Sequence, residues 1–554
     1  MNNKIQKSQV VIVGAGPVGL TLAIDLAQRN VSVTVVETRY RMEPPSVKCN
    51  HVSSRSMEIL RRLGISADLR RAGLPDDYPH DVAYRTSFTG EELSRIKIPG
   101  RNGRIAKEEG PDTWWPTAEP PHRINQIYLE PVIFKHAEQT PGVTILNRTS
   151  VQSFEQTDNG VIVFAKHLDE DISYELQCDY MIGCDGGRSM VRKGIGAKLS
   201  GTDVVGRVQS TFLRAPDLLS RISYQPAWAT FSINPRRSGN VYAIDGKELW
   251  LIHNYLSDEE TTFESVDRDW AIRQILGVGA DFQYEIVTKE DWIGRRLVAN
   301  RFRDRRVFIC GDAAHLWIPM AGYGMNAGIA DAMNLSWLLA SHLNGWAKES
   351  VLDAYEAERQ PITEQVSNFA MNHALALQKE CKAVPANLEE DSEQGRASRA
   401  SVGESLYELN VRQYCCGGLN YGYFYDKSPL IAYDGEVAPA YGMNTFTQST
   451  VPGCRTPHVW LQDGSSLYDR MGKEYTLLRL DPAVDVSRFV EGAEAAGLPL
   501  SVLDVKSEEA LSVYDRKLVL SRPDFHVGWR GDEVPADVAA LIALLQGRYT
   551  TLPA

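Results

Sequence analysis

Residues 14–19 read Gly14-Ala15-Gly16-Pro17-Val18-Gly19, a G-x-G-x-x-G array, and an acid, Glu37, stands 18 residues beyond Gly19. In such an array the first glycine permits a tight turn, the second lets the backbone approach a pyrophosphate, and the third lets helix pack on strand. The acid falls where a carboxylate would reach a ribose hydroxyl. This is the chemistry of a dinucleotide site, with phosphates set against the free N–H groups of a helix start. Two distant segments carry further chemistry-bearing residues: Asp185-Gly186-Gly187-Arg188-Ser189, and the run from Gly311-Asp312 through Pro319 and Gly322 to Gly324-Met325-Asn326.

The elements around these residues must position them. Val10-Val11-Ile12-Val13 is a β-branched run suited to a buried parallel strand. Residues 20–29 carry an apolar stripe at Leu20, Ala23, Ile24 and Ala27, as a helix would. Residues 31–36 form a second strand ending at Glu37. A strand also delivers Asp185, another delivers Gly311-Asp312, and residues 327–342 read as a long helix opened by a glycine-rich loop.

The combination resembles the FAD-dependent aromatic hydroxylases, the single-component flavoprotein monooxygenases typified by para-hydroxybenzoate hydroxylase and phenol hydroxylase. Asp185-Gly186 sits in that family's DG segment and Gly311-Asp312 in its GD segment. Residues 55–64, beginning at Arg55, and residues 123–130, containing Gln126, match further. The resemblance implies an α/β protein: a Rossmann-like FAD-binding domain, an inserted mixed β-sheet substrate domain and a C-terminal thioredoxin-like domain. Residues 1–200 and 300–375 would bind FAD, 201–299 would form the substrate sheet, 376–450 a linker or helical strap, and 451–554 a thioredoxin-like unit without a redox dithiol.

The resemblance also assigns roles. Gly14, Gly16, Pro17 and Gly19 would form the dinucleotide turn, and Glu37 would hold the adenosine ribose. Lys48 stands where many relatives have an arginine, keeping a charge for phosphate but losing the bidentate fork. Arg55 and Asp185 belong to the cofactor motifs, and Gln126 and Asp312 would contact the flavin-linked and ribityl portions. Gly311, Pro319, Gly322, Gly324, Met325 and Asn326 would carry the flavin loop, with a helix N-terminus stabilising negative charge on reduced flavin by ~1–2 kcal/mol. Only one G-x-G-x-x-G is present, which disfavours a second dinucleotide-binding domain; the resemblance implies NADH or NADPH as a visiting cosubstrate.

The implied reaction is oxygen transfer from a C4a-hydroperoxyflavin to an electron-rich phenolic ring, with hydroxylation ortho to the existing hydroxyl and expulsion of a nitro or halide group if one occupies the attacked carbon. Such chemistry needs a dry, apolar wall. Tyr224, Trp228, Phe231, Trp250, Tyr255, Trp317, Ile318 and Met320 are candidates for it. His51, Arg207, Tyr224 and His253 are candidates to assist phenol deprotonation, and no residue stands out as the base. Baeyer–Villiger oxygenation, epoxidation, halogenation and a flavin-binding role without oxygenase activity are the alternative outcomes.

Composition fits this reading. The 554 residues are 43% hydrophobic and 23% charged, with net charge −12, which argues against nucleic acid or an anionic membrane as partner. Eight cysteines without a C-x-x-C give neither a disulfide framework nor a metal site, and point to a cytoplasmic setting. The apolar run at 10–27 is interrupted by Gly14, Gly16, Pro17, Gly19 and Asp25, making a poor membrane span. Residues 381–405 are polar and poor in large apolar side chains, as a linker or mobile loop would be. Pro361 would interrupt or restart a helix, and the C-terminal unit would support structure or a homodimer.

Overall fold

A computed structural model describes residues 2–106, 110–112, 114–318 and 322–548. Its nucleotide-binding part is a six-stranded sheet in the order Arg303–Asp304, Val307–Ile309, Tyr180–Gly183, Val10–Val13, Val33–Val36, Val143–Leu146. All neighbours are parallel except the edge hairpin of the first two. Helix Pro17–Gln28 packs on it, and Tyr323–Leu343 packs on that helix. The central strands are wholly buried because their Val and Ile side chains meet helices or neighbouring layers. A second, four-stranded sheet adds the N-terminal strand Asn2–Lys7 to Ile172–Cys178, Val161–His167 and Thr149–Gln156.

The large mixed sheet is built around the 16-residue strand Leu199–Arg214, which pairs with Leu249–Tyr255, Glu285–Lys289 and Trp292–Ala299. It is not a closed insertion of 201–299. Val82–Arg85 pairs in parallel with Ala229–Ser232, Glu92–Ile96 extends that edge, and His315–Leu316 closes the other.

Much of residues 381–405, expected to be a linker or mobile loop, is helical. Asp353–Lys382 runs straight through Pro361, and Glu393–Tyr414 is a 22-residue helix. The latter packs tightly: a Cβ at Gly403 would lie 2.2 Å from the Leu93 carbonyl oxygen, so only glycine allows the approach to strand Glu92–Ile96.

The C-terminal unit has the sheet order Leu500–Asp504, Tyr475–Arg479, Leu518–Ser521, Val527–Gly531, with the first pair parallel and the others antiparallel. Helices Ser487–Ala496 and Val538–Leu545 pack together against it. Its apolar interior is continuous with that of the nucleotide-binding part. Buried ions cross the seam. Arg522 donates to both Glu358 oxygens at 2.7 and 2.8 Å and to Asp524 at 2.8 Å, while Arg455 reaches Glu58. No helix among the described residues is long and apolar enough to cross a membrane.

Candidate functional site

The strand Val10–Val13 turns at Gly14, whose φ of +105° and distance of 2.4 Å from a would-be Cβ to the Cys184 carbonyl oxygen exclude any side chain. A Cβ at Gly19 would lie 2.1 Å from the Gly14 oxygen, so that glycine seats the helix on the turn. Gly16 differs: a Cβ there would meet no atom within 4 Å. It is the N-cap of Pro17–Gln28 and offers no side-chain cap, leaving the first-turn N–H groups unsatisfied by it. The same holds for Gly322 before Tyr323–Leu343. Two uncapped helix starts therefore meet one cavity, which Gly16 and Pro17 line at one place and Gly322, Gly324 and Met325 at another.

That cavity measures about 1600 Å³. Lys48, His51, Gln126 and Asp312 line its middle. Asp312 opens onto it and is exposed there, although it lies deep among protein atoms. Burial pushes its carboxyl above the usual carboxylate range, with His315 and Lys48 opposing. The turn carrying Asp312 is held from behind by Asp331. One Asp331 oxygen accepts from Arg359 Nε at 2.7 Å, the other from His315 Nε2 at 2.8 Å and the Gly311 amide at 3.3 Å. Asn326 does not face the cavity. Its amide clamps the neighbouring segment, accepting from the Ser53 amide at 2.8 Å and donating to the carbonyls of His51 and Gly322 at 3.1 and 2.6 Å.

The far end is aromatic and apolar. Strand parity decides who faces it: Leu249, Leu251, His253 and Tyr255 line the cavity, whereas Trp250 points into the opposite core and donates to the Ala215 carbonyl at 3.3 Å. Trp228, Phe231, Trp317 and Ile318 line the wall with Tyr242, Trp292 and Tyr414. Arg207 is present too. Burial lowers the His253 pKa to about 4, so its ring is neutral. His51 is held well below the ordinary histidine range by burial and by Arg123, Arg104 and His122.

Several predicted site residues lie elsewhere. Tyr224 is off the cavity, beneath the Arg85 guanidinium at 5.0 Å. Arg55 faces the domain seam, pairing with Glu58 at 3.2 Å and donating to the Asp524 carbonyl. Asp185 turns away to cap the helix Met190–Gly194, accepting from the Met190 amide at 2.7 Å. Gly311 makes a close approach to Val18 and Gly328 behind the cavity. Glu37 accepts from the Ala15 amide at 2.8 Å and the Arg39 amide at 3.0 Å, and borders a small side cavity with Arg39. Burial raises its pKa and Arg39 more than reverses this, leaving it below the ordinary value. Pro319 and Met320 lie outside the described residues.

Sequence reasoning missed Arg39, Arg123, Tyr242, Trp292, Tyr414 and the residues Ala374, Leu377 and Cys381 that close the wall. Arg123 had a signal, since it stands three residues before Gln126. Tyr414 had none, because its helix reads as polar linker.

The residues present suit FAD: two helix starts with free donors, a side-chain-free approach at Gly16, an acid at Asp312 and a chamber beyond. Comparison with known proteins agrees. Residues 7–370 match the family model described as FAD binding domain, and residues 449–548 match that described as aromatic-ring hydroxylase, C-terminal. The chain is 29% identical over 551 residues to FAD-dependent monooxygenase apdD of Emericella nidulans, covering 95% of this chain and 88% of that one. It is 28% identical over 594 residues to phenol 2-monooxygenase of Pseudomonas sp., covering 98% and 93%. The solved structure of the rebeccamycin biosynthetic enzyme RebC with reduced flavin superposes with a TM-score of 0.88 at 30% identity, covering 99% of this chain and all of that one.

Proposed function

The chain belongs to the FAD-dependent aromatic-ring hydroxylases and is a flavoprotein monooxygenase, and on that premise we propose that it hydroxylates a phenolic ring next to the existing hydroxyl. The observation that carries this reading is the single cavity running from the two helix starts into an aromatic chamber. Its volume of about 1600 Å³ exceeds the ~300–1,000 Å³ of one ordinary ligand site, which leaves room for an extended aromatic molecule beside the cofactor.

FAD, reduced by NADH or NADPH, supplies the electrons and activates O₂. The chain supplies binding, orientation and dryness. In this reading the Pro17–Gln28 helix start and Lys48 would hold the diphosphate, Glu37, beside the small side cavity, the adenosine ribose, and Gln126 and Asp312 the ribityl chain. The backbone amides of Gly324 and Met325, at the start of Tyr323–Leu343, would donate to the flavin's pyrimidine end. Trp228, Phe231, Tyr242, Leu251, Tyr255 and Tyr414 exclude water around the substrate. His253, neutral by burial, is a wall residue.

The test is a screen of phenols for stimulated NAD(P)H oxidation by the yellow holoenzyme, with product mass as readout. One added oxygen with the ring intact supports hydroxylation. A nitro- or halophenol that loses its substituent supports the displacing variant. Holoenzyme whose NAD(P)H oxidation no phenol stimulates would refute the assignment.

A further inference from the structure

Arg123 is a cation without a counter-ion in contact. It is 2% exposed, its guanidinium lies 4.6 Å from the Trp228 ring and 5.6 Å from the Tyr414 ring, and it borders the cavity. Its Nε and Nη2 have no hydrogen-bond partner among the described residues. Its Nη1 meets Nδ1 of His51. The neighbouring acid, Asp112, is ion-paired with Arg104 instead.

The contact fixes a proton. A guanidinium has donors only, so Nδ1 of His51 must accept. The neutral imidazole then carries its one hydrogen on Nε2, the tautomer set by the bond at the other nitrogen. A second proton has no place, because it would point at the Arg123 N–H. The surroundings reinforce this. Arg104 and His122 disfavour charge on His51, His122 itself faces the Leu69 carbonyl at 3.0 Å, and the adjacent Cys49 thiol is pushed up to about 11 by burial. Asn326 fixes the His51 backbone to the start of Tyr323–Leu343. His51 therefore lines the cavity as a donor that cannot accept a proton.

We propose that Arg123 and His51 form a fixed donor relay that binds the substrate's phenolic oxygen as the phenolate, with His51 Nε2–H touching the oxygen and Arg123 as its positioning residue. This rests on the phenol hydroxylation proposed above. The phenol O–H bond breaks, its proton leaves through the cavity mouth to water, and the electron pair stays on oxygen, which makes the ring carbon beside it more nucleophilic. His51 is thus the anion's partner and not the general base.

The experiment uses 4-nitrophenol, whose absorbance reports its ionisation, bound to FAD-loaded enzyme. Its ionisation midpoint is expected about one pH unit or more below that of the free phenol, a tenfold change in the constant. Arg123→Met and His51→Leu abolish that shift while flavin content stays at the parental level, and Arg123→Lys restores part of it. A probe bound in its neutral form, or a shift that survives Arg123→Met, overturns the relay. Because the readout needs no turnover, an unshifted probe in an enzyme that still hydroxylates phenols sinks only this inference, whereas absent stimulation with a shifted probe sinks only the proposed reaction.

Discussion

Asp331 offers the sharpest test of how the cofactor loop is held. Its carboxylate is fully buried and serves three donors at once: Arg359 on helix Asp353–Lys382, His315, and the Gly311 amide that precedes Asp312. Burial works against its charge, and Arg359 and then His315 more than compensate, holding the carboxyl below its ordinary range. Asp331→Asn keeps the shape but leaves one acceptor oxygen for three donors and presents an NH₂ to one of them. It also leaves the Arg359 guanidinium, 1% exposed, without its anion. Removing one partner of such a buried pair costs about 3–5 kcal/mol. At roughly 2–4 °C per kcal/mol for a large domain, the unfolding midpoint should fall by roughly 6–20 °C. The assay is thermal unfolding of the holoenzyme followed by circular dichroism and by release of flavin fluorescence at one scan rate. Flavin should leave at the lower temperature as well, because the same turn carries Asp312. Arg359→Met should combine with Asp331→Asn less than additively, since both break one pair. A midpoint within ~2 °C of the parent, less than the shift for 1 kcal/mol, with unchanged flavin content would refute the reasoning.

Four other variants have expected outcomes. Gly16→Val should fold with its parental circular dichroism, since a Cβ there meets nothing within 4 Å and the φ of −77° suits any residue, yet purify with little flavin; Gly19→Val, with its Cβ 2.1 Å from the Gly14 oxygen, should fail to accumulate as folded protein. Asp312→Ala should bind FAD roughly ten- to hundredfold more weakly, the worth of a charge-assisted hydrogen bond, as measured by titrating apoprotein with FAD. Asp25 is raised by burial but carried down to about 2 by Arg62 and Arg29. Its contribution is therefore complete above the unfolded value of 3.8 and lost as pH falls through about 2, so Asp25→Asn should flatten the acid limb of stability there in a urea-unfolding series against pH.

The dinucleotide turn was legible because backbone geometry dictates it: no other residue fits at Gly14 or Gly19. The wall was legible only in part. Trp250 and Tyr255 are five residues apart on one strand and so must face opposite ways, a parity already present in the sequence. Helix Glu393–Tyr414 escaped because its buried positions are mostly small or polar (Gly395, Gly403, Asn410 and Gln413 among them), as a close backbone approach requires, so no apolar stripe marks it. Arg55 was misplaced for another reason: its partner carbonyl at Asp524 is 469 residues away, and no local pattern encodes such a contact. Tyr224 is an isolated aromatic whose partner, Arg85, lies on a strand outside the region read as substrate sheet.

The ions buried in the seam have a bearing on how such a protein is inherited and rebuilt. Glu358 and Asp524 both hold Arg522, Glu58 holds Arg455, and Arg29 reaches Glu474 at 2.7 Å, all shielded from water to a large degree. Cleaving the chain after the strap would strand formal charges of both signs on each fragment in a greasy surface, a penalty of several kcal/mol per orphan. Neither piece would make a good stand-alone module. A chimera that borrows its last hundred or so residues from a cousin would have to import the matching acids and arginines on the nucleotide-binding side with them.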